Sequence, residues 1–465
     1  MPTSRSRAAL ALAAVAVALA LAWFVPMLAV PFIWPLFLVV PGWTLLAAAR
    51  PRIDGAGRIG LAVLISVAVS THLVYWISHL AGGYGRETVF AAAALLSLSL
   101  PIAAWRGGRL PRATLVADRG ALAVALLAAG FVGLTLAWGM WRITDTGIVS
   151  GGTNWSDLGV HLSIAETLNA GANFPPEVPY FAGVPLTYHW FSDFHAAILA
   201  RAASIFSVPA MVIQSTVLAG ALALLAWSLA RRLMRGRDAR RVALLAAGLA
   251  IFGGGLGYMR YIGDLTAGLG GPLELITLNS YDNRWLTEWP YFRIPSVMHT
   301  GLLAHRATTV GLPLLLASVL LLVAGLPSAR RRAAGWRDSP PLLVLAGLTG
   351  ALLAPFHFFF FPVAPLLALA WVLAAGRLLD RDAPRNAACL LLPYLLAVPF
   401  VIAPALQAGG SGAVQWVQIW ASAPRDDGLA AVAFFYATNL GVPFALALLA
   451  LLLPGVPKRA FLATW

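Results

Sequence analysis

ATTVGLPLLLASVLLLVAG, residues 307–325, carries no charge and is bracketed by His305–Arg306 before it and Arg330–Arg332 after it. Nineteen uncharged, mostly apolar residues as a helix cover roughly 28 Å at about 1.5 Å per residue, close to the ~30 Å hydrocarbon core of a bilayer. Similar runs recur near 8–25, 32–49, 59–80, 88–105, 120–141, 208–230, 242–262, 340–356, 359–376, 387–404 and 431–453. The chain as a whole is 60% hydrophobic and 11% charged, with a mean hydropathy of +0.81. That is too little charge to solvate the surface of a water-soluble domain of this length. The alternating pattern of a membrane β-barrel is missing. The expected fold class is therefore all-α, a polytopic integral membrane protein with about 12–13 transmembrane helices.

The net charge of +14 would suit nucleic acid, but the arginines are grouped in short connections between apolar runs. Clusters at 50–58, 106–119, 231–241, 330–337, 377–385 and 458–459 follow the positive-inside rule and meet anionic headgroups. No nucleic-acid partner is expected. Both termini are placed in the cytoplasm of a multi-pass inner or plasma membrane protein. The first apolar run follows Arg5 and Arg7 and reads as an uncleaved helix rather than a signal peptide. The one cysteine, Cys389, excludes an intrachain disulfide. Residues 186–206 leave two readings open, a full crossing or a re-entrant segment; the charge of the 231–241 cluster favours the second.

Three sections follow: N-terminal spans (1–119), a core with long outer loops at 142–186 and 263–306 (120–306), and C-terminal spans (307–465). Long loops in a compact protein tend to be functional. The first contains NWSDLGVHLSIAETL, in which Asp157–Leu168 reads as a short amphipathic helix with Leu158, Leu162, Ala165 and Leu168 on one stripe. Asp157 and His161 are four apart and share a face; Asp157 alone is equally a first-turn acid favoured by the helix dipole. Next, PPEVPYFAGVPLTYHWFSDFHAAIL brings His189, Asp193 and His195 to the mouth of an apolar helix, with His189 and Asp193 expected on one face. Ionisable groups at membrane depth usually line a cavity or pair with one another. The second loop ends at His305 and Arg306, where a lipid phosphate would sit, and His357 follows in LLAPFHFFFFP. There is no P-loop, dinucleotide fingerprint, GxSxG or zinc signature, nor any internal repeat.

Four of these features together resemble the GT-C superfamily of membrane glycosyltransferases: SDLGVH, GVPLTYHWFSDFHAA, LLAHRATTVGLPL and GLTGALLAPFHFFFFP, across residues 120–365. Two departures stand beside the likeness. Four additional N-terminal spans come before the first long loop, and the paired acidic motif of the superfamily is absent.

The resemblance implies sugar transfer from a polyprenyl-phosphate carrier to an acceptor on the extracytoplasmic membrane face. It casts Asp157 as the base, with Asp145 in reserve, and Arg306 as the group that holds the donor phosphate. His161, His189, Asp193, His305 and His357 would shape the substrate cavity. Some members use a divalent ion, which Asp157 with a nearby His or Asp could hold; no other cofactor is expected. The partners implied are the lipid-linked sugar and membrane lipid. Rival readings are a transporter or flippase of lipid-linked saccharides, a surface-glycan polymerase or ligase, and a non-catalytic scaffold.

Overall fold

A computed structural model describes residues 4–49, 51–101, 118–152, 157–234, 238–278, 281, 296–304, 307–407 and 429–452. Among these the protein is all-α apart from one two-stranded hairpin. Five stretches are long and apolar enough to cross a membrane: Gly55–Leu80, Arg119–Met140, Ser207–Leu233, Thr308–Ala333 and Ala383–Ile402.

The N-terminal third holds α1 (Ser4–Phe24), α2 (Ala29–Phe32), α3 (Trp34–Leu38), α4 (Val40–Ala49), α5 (Gly55–Leu80) and α6 (Arg86–Ser97). Instead of the single span expected at 32–49, the chain makes short pieces. Pro31, Pro35 and Pro41 each lack the amide that would continue a helix. By contrast, α5 runs unbroken, started by Asp54, whose Oδ1 accepts from Gly57 N at 2.9 Å.

The middle third holds α7 (Arg119–Leu134), which continues as a π turn to Met140, then β1 (Trp141–Thr144) and β2 (Gly147–Ser150). It continues with α8 (Asp157–Ala170), α9 (Phe191–Ala203), α10 (Ser207–Leu233), α11 (Ala239–Phe252), α12 (Tyr258–Thr266) and α13 (Pro272–Leu278). The expected span at 242–262 is broken in two between Phe252 and Tyr258, where the run Gly253–Gly255 leaves helical geometry.

The last third holds α14 (Thr308–Gly325), α15 (Ala329–Ala333), α16 (Pro340–Leu352), α17 (Phe360–Ala374), α18 (Ala383–Leu391), α19 (Val398–Gln407) and α20 (Leu429–Leu452). Gly441, at φ 53°, kinks α20.

All three thirds share one hydrophobic core. The Thr308–Ala333 stretch is 94% buried and the Ala383–Ile402 stretch 11%, so α14 is the axis of the bundle and α18 lies on its perimeter. α10 packs on α5, α7, α11 and α14. Contact with α5 is close because both faces carry small residues: a Cβ on Gly57 would meet Ser228 Oγ at 2.3 Å. The outer surface is apolar, with Phe24, Leu80, Leu126 and Trp138 all more than two-thirds exposed. Water would not tolerate so many exposed apolar groups; lipid would.

Segment 186–206 contains one short helix. α9 has 13 residues, about 20 Å of helix, and ends at Ser204 in left-handed geometry. α10 then folds back beside it, with Gln214 Nε2 donating to Ser192 O at 3.1 Å.

At the far end of α14 the chain is clamped by a buried ion pair. Arg377 donates to both oxygens of Asp338 at 3.0 and 2.8 Å, and Asn386 Nδ2 adds a third bond at 2.8 Å. The two charged side chains are 2% and 4% exposed. Burial alone would raise the Asp338 carboxyl, but bonds from Arg377 and Asn386 outweigh it and hold it below the ordinary carboxylate range. Its contribution is therefore complete above the unfolded carboxylate pKa and is lost as pH falls through the lower folded one. Asp338→Ala leaves the buried Arg377 with only Asp380 and the Pro327 carbonyl as partners, and is expected to cost about 2 kcal/mol. Thermal unfolding of the detergent-solubilised chain checks this; a midpoint equal to the wild type would contradict it.

Candidate functional site

The site is assembled where α8, α9, the start of α14 and the α16–α17 connection meet. α8 buries Leu158, His161, Ile164, Ala165 and Leu168. This differs from the expected stripe: Leu162 is only half-buried, and His161 and Ile164 take the inward positions. An inward histidine needs a partner, and α9 supplies it. His161 Nδ1 lies 3.0 and 2.9 Å from the two carboxylate oxygens of Asp193. Because a carboxylate only accepts, Nδ1 carries the proton and donates it. His161 is 2% exposed and Asp193 0%.

A second contact has the same offset: Arg201 Nη1 donates to Asn169 O at 2.8 Å. Both pairs are 32 residues apart, so α8 and α9 run parallel, side by side. Glu166 on α8 closes the far end by accepting from Ser207 N at 2.7 Å.

His189 does not share a helical face with Asp193. It precedes α9, whose N-cap is Trp190, so the four-residue spacing has no helical meaning there. Instead its ring stacks on His357, with centroids 5.3 Å apart and planes 7° from parallel. Tyr188 bridges the two groups, 4.0 Å from the His189 ring and 6.0 Å from that of His161. His357 is itself fixed: Nδ1 accepts from Phe360 N at 3.2 Å, which leaves Nε2–H to donate to Thr308 Oγ1 at 3.2 Å. The imidazole packs directly on α14, where a Cβ on Gly311 would come within 2.6 Å of His357 Cβ.

Burial lowers both stacked histidines below the ordinary 6.5, His189 to about 3 and His357 to about 4. His189 is lowered further by the imidazoles of His357 and His161. Both are therefore neutral at pH 7. A group held neutral in the fold stabilises it fully above its unfolded pKa of 6.5, and the benefit fades as pH falls towards 4 and then 3. The wild type is expected to lose thermal stability between pH 6.5 and 4 more steeply than His189→Gln, measured as the melting midpoint against pH. Parallel curves would refute this.

Asp157 heads α8, one turn before His161, and is half-exposed. Asp145 sits at the exposed tip of the β1–β2 hairpin, in the turn between Thr144 and Gly147. His305 and Arg306 lie outside the described residues, as do residues 282–295 of the second loop. His161, Asp193, His189 and His357 are thus brought together. Tyr188 and Thr308 join them, and sequence reasoning missed both; Thr308 is flagged only by standing two residues after Arg306. Among the described residues no three His, Cys, Asp or Glu side chains are arranged to hold a metal ion.

The N-terminal section buttresses this site. Trp34 Nε1 donates to Leu199 O of α9 at 2.9 Å, and His72 Nε2 bonds Leu352 O at the end of α16 at 3.0 Å. The His72 ring also lies against Phe191, 5.0 Å away.

No family model, curated protein or solved structure matches this chain. Function must be sought in the site's own chemistry.

Proposed function

We propose that the chain is a polytopic membrane glycosyltransferase of the GT-C type. It would transfer a sugar from a polyprenyl-phosphate donor to an acceptor hydroxyl on the extracytoplasmic face. The observation that carries this reading is the convergence of three distant segments on one cluster: α8 with Asp157 and His161, the α9 mouth with His189 and Asp193, and His357 with Thr308.

The distribution of charge along α14 supports the orientation. Thr308 at its first turn meets His357, whereas Val323 and Ala324 near its last turn accept from Arg232, each at 3.4 Å. The histidine cluster and the arginine clusters therefore stand at opposite ends of one helix roughly 27 Å long. With the basic end in the cytoplasm, the cluster faces outside. The remaining apolar helices would complete about 12–13 crossings and place both termini inside.

Asp157 is the better candidate base because it is accessible, while Asp193 and His161 are sealed in. The pair instead fixes the first turn of α8 and so the position of Asp157. In the reaction Asp157 takes the acceptor's proton as the hydroxyl oxygen bonds to the anomeric carbon. The bond from that carbon to the phosphate oxygen breaks, and the phosphate keeps the electron pair. Arg306 would neutralise the charge that gathers there. Asp145, exposed on a hairpin tip, fits the role of base less well. The same cluster on a flippase would need no base, so loss of transfer on neutralising Asp157 separates the two. The test is release of polyprenyl phosphate and appearance of glycosylated acceptor by the purified chain.

A further inference from the structure

A second polar assembly lies at the opposite end of the bundle. Trp336, in the turn after α15, is half-buried. The guanidinium carbons of Arg52, Arg232 and Arg331 lie 5.9, 5.7 and 5.4 Å from its ring centroid. These arginines come from three places: just before α5, the end of α10, and α15. Hydrogen bonds lock the arrangement, with Arg232 Nη1 donating to Arg52 O at 2.8 Å and Arg331 Nη2 to Arg232 O at 2.8 Å.

Trp336 also lines a cleft of about 520 Å³ with Arg332, Arg337, Arg385, Asp338 and Asp382. The two carboxylates of that cleft are already engaged. Asp338 is held by Arg377, and Asp382 by Arg332 at 2.7 Å and Arg385 at 3.7 Å. The acid that acts on Arg232 is Asp54, whose oxygens also accept from Ser228 Oγ at 2.6 Å and Gly57 N at 2.9 Å. Leaving Arg331 aside, Arg52, Arg232 and Arg337 exceed that single acid. Cation–π contact with Trp336 gathers guanidinium groups that would otherwise repel.

Such an excess calls for an anion, and its position says which. Arg52, Arg232 and Arg331 mark the ends of Gly55–Leu80, Ser207–Leu233 and Thr308–Ala333, three of the stretches long enough to cross a membrane. Phosphate headgroups lie at that level, and tryptophan favours the same layer. Guanidinium forks match phosphate oxygens two at a time.

We propose that the Trp336 cleft binds the phosphate of an anionic membrane lipid, with Arg337 in its lining and the positive charge of Arg52, Arg232 and Arg331 beside it on the Trp336 ring. The proposal is independent of the sugar-transfer reading.

The full chain, purified in mild detergent, is titrated with phosphatidylglycerol or phosphatidylcholine and bound lipid is counted by native mass spectrometry. Phosphatidylglycerol should bind at least about tenfold more tightly than phosphatidylcholine. The double variant Arg52→Gln/Arg337→Gln should weaken it by about tenfold or more, at roughly fivefold for each arginine lost near the surface. Arg260→Gln, paired with Asp264 and outside the arginine clusters, should leave binding unchanged. If the glutamine variant fails size-exclusion chromatography, Arg52→Lys/Arg337→Lys keeps the charge, loses the forks, and should still bind several-fold more weakly than the wild type. Equal affinity for the two lipids, or unchanged phosphatidylglycerol binding in a folded double variant, overturns the proposal. Displacement of the lipid by millimolar inorganic phosphate would overturn the lipid assignment in favour of a soluble phosphate.

Discussion

Asp157→Asn is expected to lower sugar transfer from a polyprenyl-phosphate donor by about 10²–10⁴-fold, the usual worth of a general base, with little change in thermal stability. The two halves of this expectation have separate causes. Asparagine has nearly the same shape and keeps an oxygen for the first turn of α8, so the fold loses little beyond a favourable helix-dipole interaction of about 0.3–1 kcal/mol. It cannot take a proton from a hydroxyl, so the chemical step loses its base. Donor binding should persist, because nothing in the proposal gives Asp157 a role in holding phosphate. A kcat that collapses while KM holds would fit. Wild-type turnover in a folded Asp157→Asn chain would remove Asp157 from the mechanism.

Asp193→Ala should have the largest effect on stability within the site. The carboxylate is fully buried and accepts from His161 Nδ1 through both oxygens. Removing it leaves a sealed imidazole donor without that acceptor and a void between α8 and α9, a loss on the order of 3 kcal/mol. Asp193→Asn keeps an acceptor and the volume, and should cost less than half as much. Asp193→Ala should also lose transfer, because α8 is no longer pinned where Asp157 needs to stand, whereas Asp193→Asn, which keeps an acceptor for His161, should lose less. Thermal unfolding of the two variants in detergent separates these outcomes; an alanine variant as stable as the wild type would contradict the structural role of the pair.

The bundle was legible in the chain because apolar length and arginine placement are one-dimensional signals. The interruptions were legible too, in residues that apolar length alone overlooks. Pro31, Pro35 and Pro41 divide one expected span, and Gly253–Gly255 divide another. The hairpin went unread although Arg142–Ile143 and Ile148–Val149 flank a Thr-Asp-Thr-Gly turn. Within the site, spacing pointed to the right residues and the wrong partners. Asp157 with His161 and His189 with Asp193 are each four apart, but the bond that forms joins His161 to Asp193 across two helices. The stack of His189 on His357 joins residues on either side of α14 in the sequence. No local rule reports such a meeting; only the packing of α8, α9 and α14 does.

The most direct measurement places the purified chain in liposomes with a labelled polyprenyl-phosphate sugar and a set of hydroxyl acceptors. The account predicts that label leaves the lipid for an acceptor, or slowly for water, with equimolar polyprenyl phosphate released. Donor that crosses between leaflets with its sugar still attached, and no polyprenyl phosphate formed, would contradict it.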